Sequence, residues 1–194
     1  NTLWGGIVGE DGFDGINLGP TSPGNAFMEF QRYLLSYWQR GIVLAINSKN
    51  NPDDALQVIK NHPYMLLREE HFASMRINWN DKISNLKEIA SELNIGLSSI
   101  VYFDDDPVNR GLVSNSLPEV LTVDMPQDPS LYAQTLVLLN DFNILQITGE
   151  DLNRGKMYLE QKARKQLETS ATNLDEFLNQ LNIKITMKNA DQFT

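Results

Sequence analysis

Apolar residues recur along the chain at two periods that alternate. Ala26, Phe27, Phe30, Tyr33, Leu34, Tyr37 and Trp38 fall at i, i+3, i+4 and i+7, predicting a helix from about Pro23 to Gly41. The run 42–46 is short, apolar and bounded by polar residues, as a strand buried on both faces is. Asn51-Pro52-Asp53-Asp54 then supplies a cap, a first-position proline and first-turn acids for a helix that ends near Asn61, before Pro63. The alternation continues with a strand over Phe72–Ile77, an amphipathic helix over 81–93 closed by Gly96, and a buried strand over 99–103. A short helix over Pro107–Ser116, a strand over 120–123 and a helix over 129–139 complete the series. Strands separated by helices of this length imply right-handed crossovers and a parallel sheet covered on both faces. Residues 1–142 are therefore expected to form a doubly wound α/β domain.

The two ends of the chain break the pattern. Gly5, Gly6, Gly9, Gly12, Gly15, Gly19 and Gly24 crowd the first segment, which predicts tight turns and a small hairpin in place of a helix of ordinary length. Beyond Phe142 the composition shifts to charged residues and good helix formers, with Lys156, Lys162, Arg164 and Lys165 among acids. A helix over 150–169, a shorter one over 173–181 and a half-buried strand over 183–188 are expected. Residues 143–194 thus read as a linker helix and the start of a second domain. The chain begins with Asn1, so it reads as a piece of a longer protein.

Composition removes several classes of function. The 194 residues contain no cysteine, which excludes disulfides, thiolate metal sites and thiol catalysis, and only two histidines, His62 and His71. Both histidines fall in connecting segments and read as surface or structural residues. A formal net charge of −9 argues against nucleic acid or an anionic membrane as partner. No apolar run approaches the ~20 residues that span a bilayer, and the N-terminal segment is not a signal peptide, so a cytoplasmic location is expected.

In an open parallel sheet, ligands sit beyond the carboxyl ends of the strands. Those ends carry Asn47-Ser48-Lys49-Asn50, Asn78-Trp79-Asn80-Asp81-Lys82 and Asp104-Asp105-Asp106. Capping needs only one acid, and three adjacent carboxylates repel one another, so a hard cation such as Mg²⁺ is the expected relief. Lys82 stands in the first turn of a helix, against the positive end of its dipole, a place that a solvated lysine tolerates and a lysine pairing with phosphate requires. Ser48, Lys49 and Asn50 can turn a hydroxyl and backbone N–H groups toward a phosphate ahead of a helix. Jointly these residues form a phosphoryl-transfer set that lacks a nucleophile.

Asn1-Thr2-Leu3-Trp4-Gly5-Gly6 resembles the end of the Asp-x-Asp-x-Thr motif of the haloacid dehalogenase (HAD) superfamily, and in particular of its FkbH-like, HAD-IIIC branch. The resemblance continues through Val8-Gly9-Glu10-Asp11-Gly12, Leu18-Gly19-Pro20, Phe30-Gln31, Arg40-Gly41, Ser48-Lys49-Asn50, His62-Pro63, Asn78-Trp79 with Lys82, and Asp104-Asp105-Asp106-Pro107, over about 1–158. It implies a Mg²⁺-dependent phosphohydrolase or phosphotransferase working through an aspartyl-phosphate. Thr2 matches the first motif, Ser48 the second and Lys82 the third. Asp104 and Asp105 match the fourth, with Asp104 the direct metal ligand and Asp105 holding a metal-bound water. Relatives carry Asn where Asp106 stands and commonly Glu where Asn109 stands.

The same resemblance places the nucleophilic Asp three residues ahead of Asn1, on a first, central strand that this chain lacks. The chain alone is then expected to be inactive, with two neighbouring sheet edges unpaired. FkbH-like proteins are associated with loading a glyceryl group from a phosphorylated three-carbon acid onto an acyl carrier protein, and many continue into an acetyltransferase-like domain. A non-catalytic domain that docks a carrier protein is the main alternative. A receiver-like phosphorylation module fits less well, because receivers place the acid pair first and the lysine last.

Overall fold

A computed structural model describes residues 1–142 and 148–170. A one-turn helix, α1 (Val8–Asp11), sits in the glycine-rich segment, and around it Gly5 and Asn17 exchange two backbone hydrogen bonds as one antiparallel rung. There follow α2 (Gly24–Gln39), β1 (Leu44–Ser48), α3 (Pro52–Asn61), β2 (Phe72–Ile77), α4 (Lys82–Leu93) and β3 (Val101–Tyr102). The series closes with α5 (Pro107–Ser116), β4 (Leu121–Thr122), α6 (Tyr132–Val137) and α7 (Gly149–Ser170).

Four elements differ in their bounds from the sequence reading. Strand β1 lies two residues later than the apolar run, because the Ile42 N–H is used to close α2 on the Tyr37 carbonyl, while Asn47 and Ser48 pair with Arg76 and Ile77 of β2. Backbone pairing, unlike burial, does not require an apolar side chain. Strands β3 and β4 shrink to Val101–Tyr102 and Leu121–Thr122, where among the described residues each finds only the other as partner. The helix expected over 129–139 opens as a 3-10 turn at Pro129–Leu131 and becomes α-helical only over Tyr132–Val137.

The architecture is α/β, with a doubly wound parallel sheet between helices. Phe27 and Phe30 of α2 pack edge-on against Tyr132, which opens α6. Leu86 of α4 shares a second cluster with Tyr102, Val113, Leu117 and Val120. Phe30, at 1% exposure, sits at the centre of the main core, where burial of such a ring contributes about 1.5–3 kcal/mol. The sheet is divided: β1 pairs with β2 and β3 with β4, both parallel, and no ladder joins the two pairs among the described residues. Between them runs a cleft of about 1170 Å³, walled by Leu44 and Ile46 on one side and Val101 and Phe103 on the other.

Helix α7 lies back on this unit. Gly155 abuts the Trp38 indole so closely that an added Cβ would come within 2.8 Å of its Nε1, and Tyr158 packs with Ala73, Ile89 and Leu93. The helix and strand expected over 173–181 and 183–188 lie outside the described residues. Among the described residues, no helix is long and apolar enough to cross a membrane.

Candidate active site

The carboxyl ends of β1 and β3 open onto one end of the cleft, which Asn1, Thr2, Ser48, Lys49, Asn50, Trp79, Lys82, Asp104, Asp105 and Asn109 line. The site residues singled out from the sequence all line this cleft, and contacts join Thr2 to Asp105 and Lys82 to Asp104. Asp11 and Asp14 are not in that lining. The Asp11 carboxylate accepts the Ile7 N–H at 2.7 Å and so serves the turn of α1.

The three consecutive acids do three different things. Asp104 is buried at 5% exposure. Its Oδ2 accepts the Tyr102 hydroxyl and stands 3.3 Å from the Lys82 ammonium. Its Oδ1 accepts the Asp106 N–H at 2.9 Å and, more weakly, the Asn109 amide at 3.4 Å. Asp105 turns to the opposite wall, where its Oδ1 accepts the Thr2 hydroxyl at 3.3 Å and lies 3.4 Å from the Asn1 amino group. Asp106 caps α5, accepting the Val108 N–H at 2.8 Å. The mutual repulsion argued from the sequence is relieved in this way, because the backbone turns into α5 and sends the side chains apart. Among the described residues no group of three or more His, Asp or Glu side chains converges on a point.

Lys82 is the first residue of α4, whose cap is Asp81, accepting the Ser84 N–H at 2.8 Å. The Lys82 ammonium donates to the Asn47 carbonyl at 2.6 Å and meets Asp104, and these two partners offset its unfavourable place at the helix N-terminus. Both side chains of this ion pair are nearly buried, with 11% and 6% exposed. In such a pair each charge is tolerable only because of the other.

Two pKa shifts follow from the arrangement. Burial, then the hydrogen bond to Asp104 and the negative charge of the neighbouring acids, raise the Tyr102 phenol, which keeps it a neutral donor. Burial also pushes Asp105 upward, but the positive charge of the Asn1 amino group and hydrogen bonds from Asn1 outweigh it and hold the carboxyl below its ordinary range.

Ser48 ends β1, and its carbonyl accepts the Asn78 N–H at 3.0 Å. Lys49 is exposed, and Asn50 turns its side-chain oxygen to the Asn51 N–H at 2.9 Å, short of the helix α3 that follows. His62 and His71 lie elsewhere and are structural, as expected. His62 meets the rings of Phe13 and Tyr64 at a tilt, and His71 sits edge-on to Trp38.

Sequence reasoning missed three residues that shape the site. Arg110 donates to the carbonyls of Asp104 and Asp105, both at 2.9 Å, and to Asp124 at 3.2 Å, so it pins the acidic loop by its backbone. Gln31, fully buried on α2, donates to the Leu3 carbonyl at 2.7 Å and accepts the Leu66 N–H at 2.8 Å, which holds the segment carrying Thr2. Asn85 is fully buried on α4, behind Lys82. The available signal was a lone polar residue on an apolar helix face.

Among solved structures, the chain is similar to the N-terminal part of the protein BF1531 from Bacteroides fragilis, which contains a phosphatase domain complexed with Mg. The two are 38% identical with a TM-score of 0.73, over 75% of this chain and 39% of that one. The chain therefore spans well under half of the solved relative's length. No family model and no curated protein matches it.

Proposed function

We propose that this chain is the greater part of a Mg²⁺-dependent phosphatase or phosphotransferase site of the HAD type. The observation that carries the reading is the buried Lys82–Asp104 pair set beside the half-open Asp105–Thr2 pair at the carboxyl ends of parallel strands. Similarity to a phosphatase domain complexed with Mg supports it.

The residues fit the metal by their donor set. Asp105 offers a carboxylate with 29% of its side chain exposed, and Thr2 adds a hydroxyl oxygen. Hard oxygen donors with room for water are what Mg²⁺ takes. Asp105 is the better direct ligand and Asp104 the second acid, because Asp104 already has protein partners on both its oxygens. This reverses the order that the family resemblance implies. When bound, Mg²⁺ supplies positive charge against the phosphate oxygens. Lys82 holds a phosphate oxygen from the other side, Asp104 keeps its ammonium aimed, and Ser48 with the Lys49–Asn50 backbone donates to the remaining oxygens.

The three acids at the end of β3 already have other work: Asp104 is hydrogen-bonded on both oxygens, Asp105 accepts the Thr2 hydroxyl and Asp106 caps α5. Turnover is expected only when a carboxylate is placed ahead of Thr2, in line with the phosphate. The finer reading, on the HAD-IIIC resemblance, is a phosphorylated three-carbon acid as substrate and an acyl carrier protein as acceptor.

The test compares the 194-residue chain with one extended by about a dozen residues of the parent reading frame, each assayed on a generic phosphate ester with Mg²⁺ and with EDTA. Metal-dependent turnover by the extended chain alone supports the reading. Turnover that survives EDTA, or turnover by the shorter chain, overturns it.

A further inference from the structure

Asparagine is out of place on the inner face of α4, where Leu86, Ile89, Ala90 and Leu93 are the other buried residues. Asn85 has no exposed surface, so its amide must be satisfied from within. Both its N–H groups and its oxygen find partners. Its nitrogen donates to the Asn47 side-chain oxygen at 3.0 Å and to the Asn78 side-chain oxygen at 3.0 Å, and its oxygen accepts the Asn78 nitrogen at 3.3 Å. Asn78 in turn accepts the Asn80 N–H at 3.1 Å. Turning any one of the three amides over sets oxygen against oxygen, so the network fixes its own sense.

The link to Lys82 runs through Asn47. The Asn47 side chain donates to the Lys82 carbonyl at 2.9 Å, while the Asn47 carbonyl accepts the Lys82 ammonium at 2.6 Å. Lys82 is thus clasped at both its backbone and its tip by one residue at the end of β1, and Asn85 holds the side chain that makes half of the clasp. Through Asn78 the same amide ties in the loop that follows β2. Three chain segments meet on this one side chain, and the first turn of α4 cannot shift without breaking it.

We infer that Asn85 is a positioning residue for Lys82, acting through the side chains of Asn47 and Asn78, and that it sets the phosphate affinity of the site without touching phosphate. The inference rests on the phosphate reading of Lys82 for its second half only.

The first half is tested by the Lys82 ammonium resonance in ¹⁵N-labelled 194-residue chain, identified by its absence in Lys82→Arg. Buried and doubly held, this ammonium should exchange slowly enough to be seen in the parent and be lost in Asn85→Ala. Asn85→Asp keeps the shape but sets oxygen against the Asn47 and Asn78 oxygens, so it should lose the resonance even where the alanine variant fails to fold. A resonance that persists in either folded variant overturns the inference.

The second half is read by inorganic phosphate titration, followed by tryptophan fluorescence, since the exposed Trp79 lines the same opening. Asn85→Ala should weaken phosphate about tenfold, the scale on which outer partners tune a ligand, leave Mg²⁺ affinity unchanged, and add nothing in a Lys82→Ala background. An additive loss in the double variant shows that Asn85 does not act through Lys82. If Lys82→Ala alone leaves phosphate affinity unchanged, the phosphate reading falls, and the ammonium resonance still decides the role of Asn85.

Discussion

On the α4 side of the cleft, Lys82, Asp104, Tyr102, Asn47, Asn85 and Asn78 use one another's polar groups, and the ion pair at their centre is nearly buried. On the side of the glycine-rich segment, Thr2 and Asp105 share one hydrogen bond of 3.3 Å, and more of Asp105 is exposed than of either charged group opposite. The first wall is rigid before anything binds, because an unmet polar group there costs more than the bond it would make. The second wall leaves oxygen donors free to accept a cation. A phosphate ester needs both kinds of wall: one that fixes its oxygens without reorganising, and one that admits a metal with its water.

Breaking the closed wall should therefore cost the fold, whereas breaking the open one should cost binding alone. Lys82→Ala leaves Asp104 buried and unpaired, and should destabilise the chain by about 3–5 kcal/mol, measured by urea unfolding. In the extended chain the same substitution should slow turnover by roughly 10²–10³, by analogy with lost oxyanion donors. Normal stability in this variant would show that the pair is solvated and that the contrast between the walls is false.

Asp105→Asn is the matching change on the open side. Its effect on urea stability should stay under about 1 kcal/mol, as for a partly exposed charge contact, while Mg²⁺ titration by calorimetry should lose its signal. The paired substitution Asp104→Asn should instead unfold the chain more easily and leave some metal binding. If the two variants behave alike, the division of labour between neighbouring acids is wrong.

Asp106 sharpens the comparison, because it lines the cleft while its carboxylate caps α5. Asp106→Asn retains a good capping side chain and should lie within about 0.5 kcal/mol of the parent, whereas Asp106→Ala should lose about 1 kcal/mol. Neither should change Mg²⁺ affinity by as much as Asp105→Asn.

The smallest effect is expected at the far end of the strands, just before β2. His71 accepts the Arg68 N–H on Nδ1 at 2.7 Å, and burial holds its pKa below the ordinary histidine value. The folded state thus favours neutral histidine. Its contribution is fully present above the unfolded pKa, about 6.5, and is lost as pH falls through the lower folded pKa. Unfolding free energy measured between pH 8 and pH 5 should fall less steeply in His71→Gln than in the parent, with the site variants unaffected in this slope.

Much of this was legible in the sequence, and the gaps have physical causes. The helix over Gly24–Gln39 was plain because one apolar face repeats through sixteen residues. Ser48 was misplaced as following a strand, because side-chain polarity marks burial and says nothing of which backbone groups pair. The acid run was read as one charge cluster, and the reading failed at Asp106, where a capping turn sends the side chain away. Gln31 and the link from Asn85 to Asn47 escaped notice since these partners lie 28 to 38 residues distant in the chain. No local pattern announces such a partner; only the single polar side chain on a buried helix face hints at it.

The divided sheet has a consequence for how the molecule opens and closes in time. With no ladder crossing the cleft among the described residues, β1–β2 and β3–β4 are held together there by side-chain packing around Phe30, Phe103 and Tyr132 rather than by shared backbone bonds. Amide protons of β1 that bond to β2 should exchange with solvent deuterium slowly, and those that face the cleft quickly, so protection should alternate along a single strand. The two halves should also exchange as separate cooperative units, with the β3–β4 half, only two residues deep in each strand, opening first.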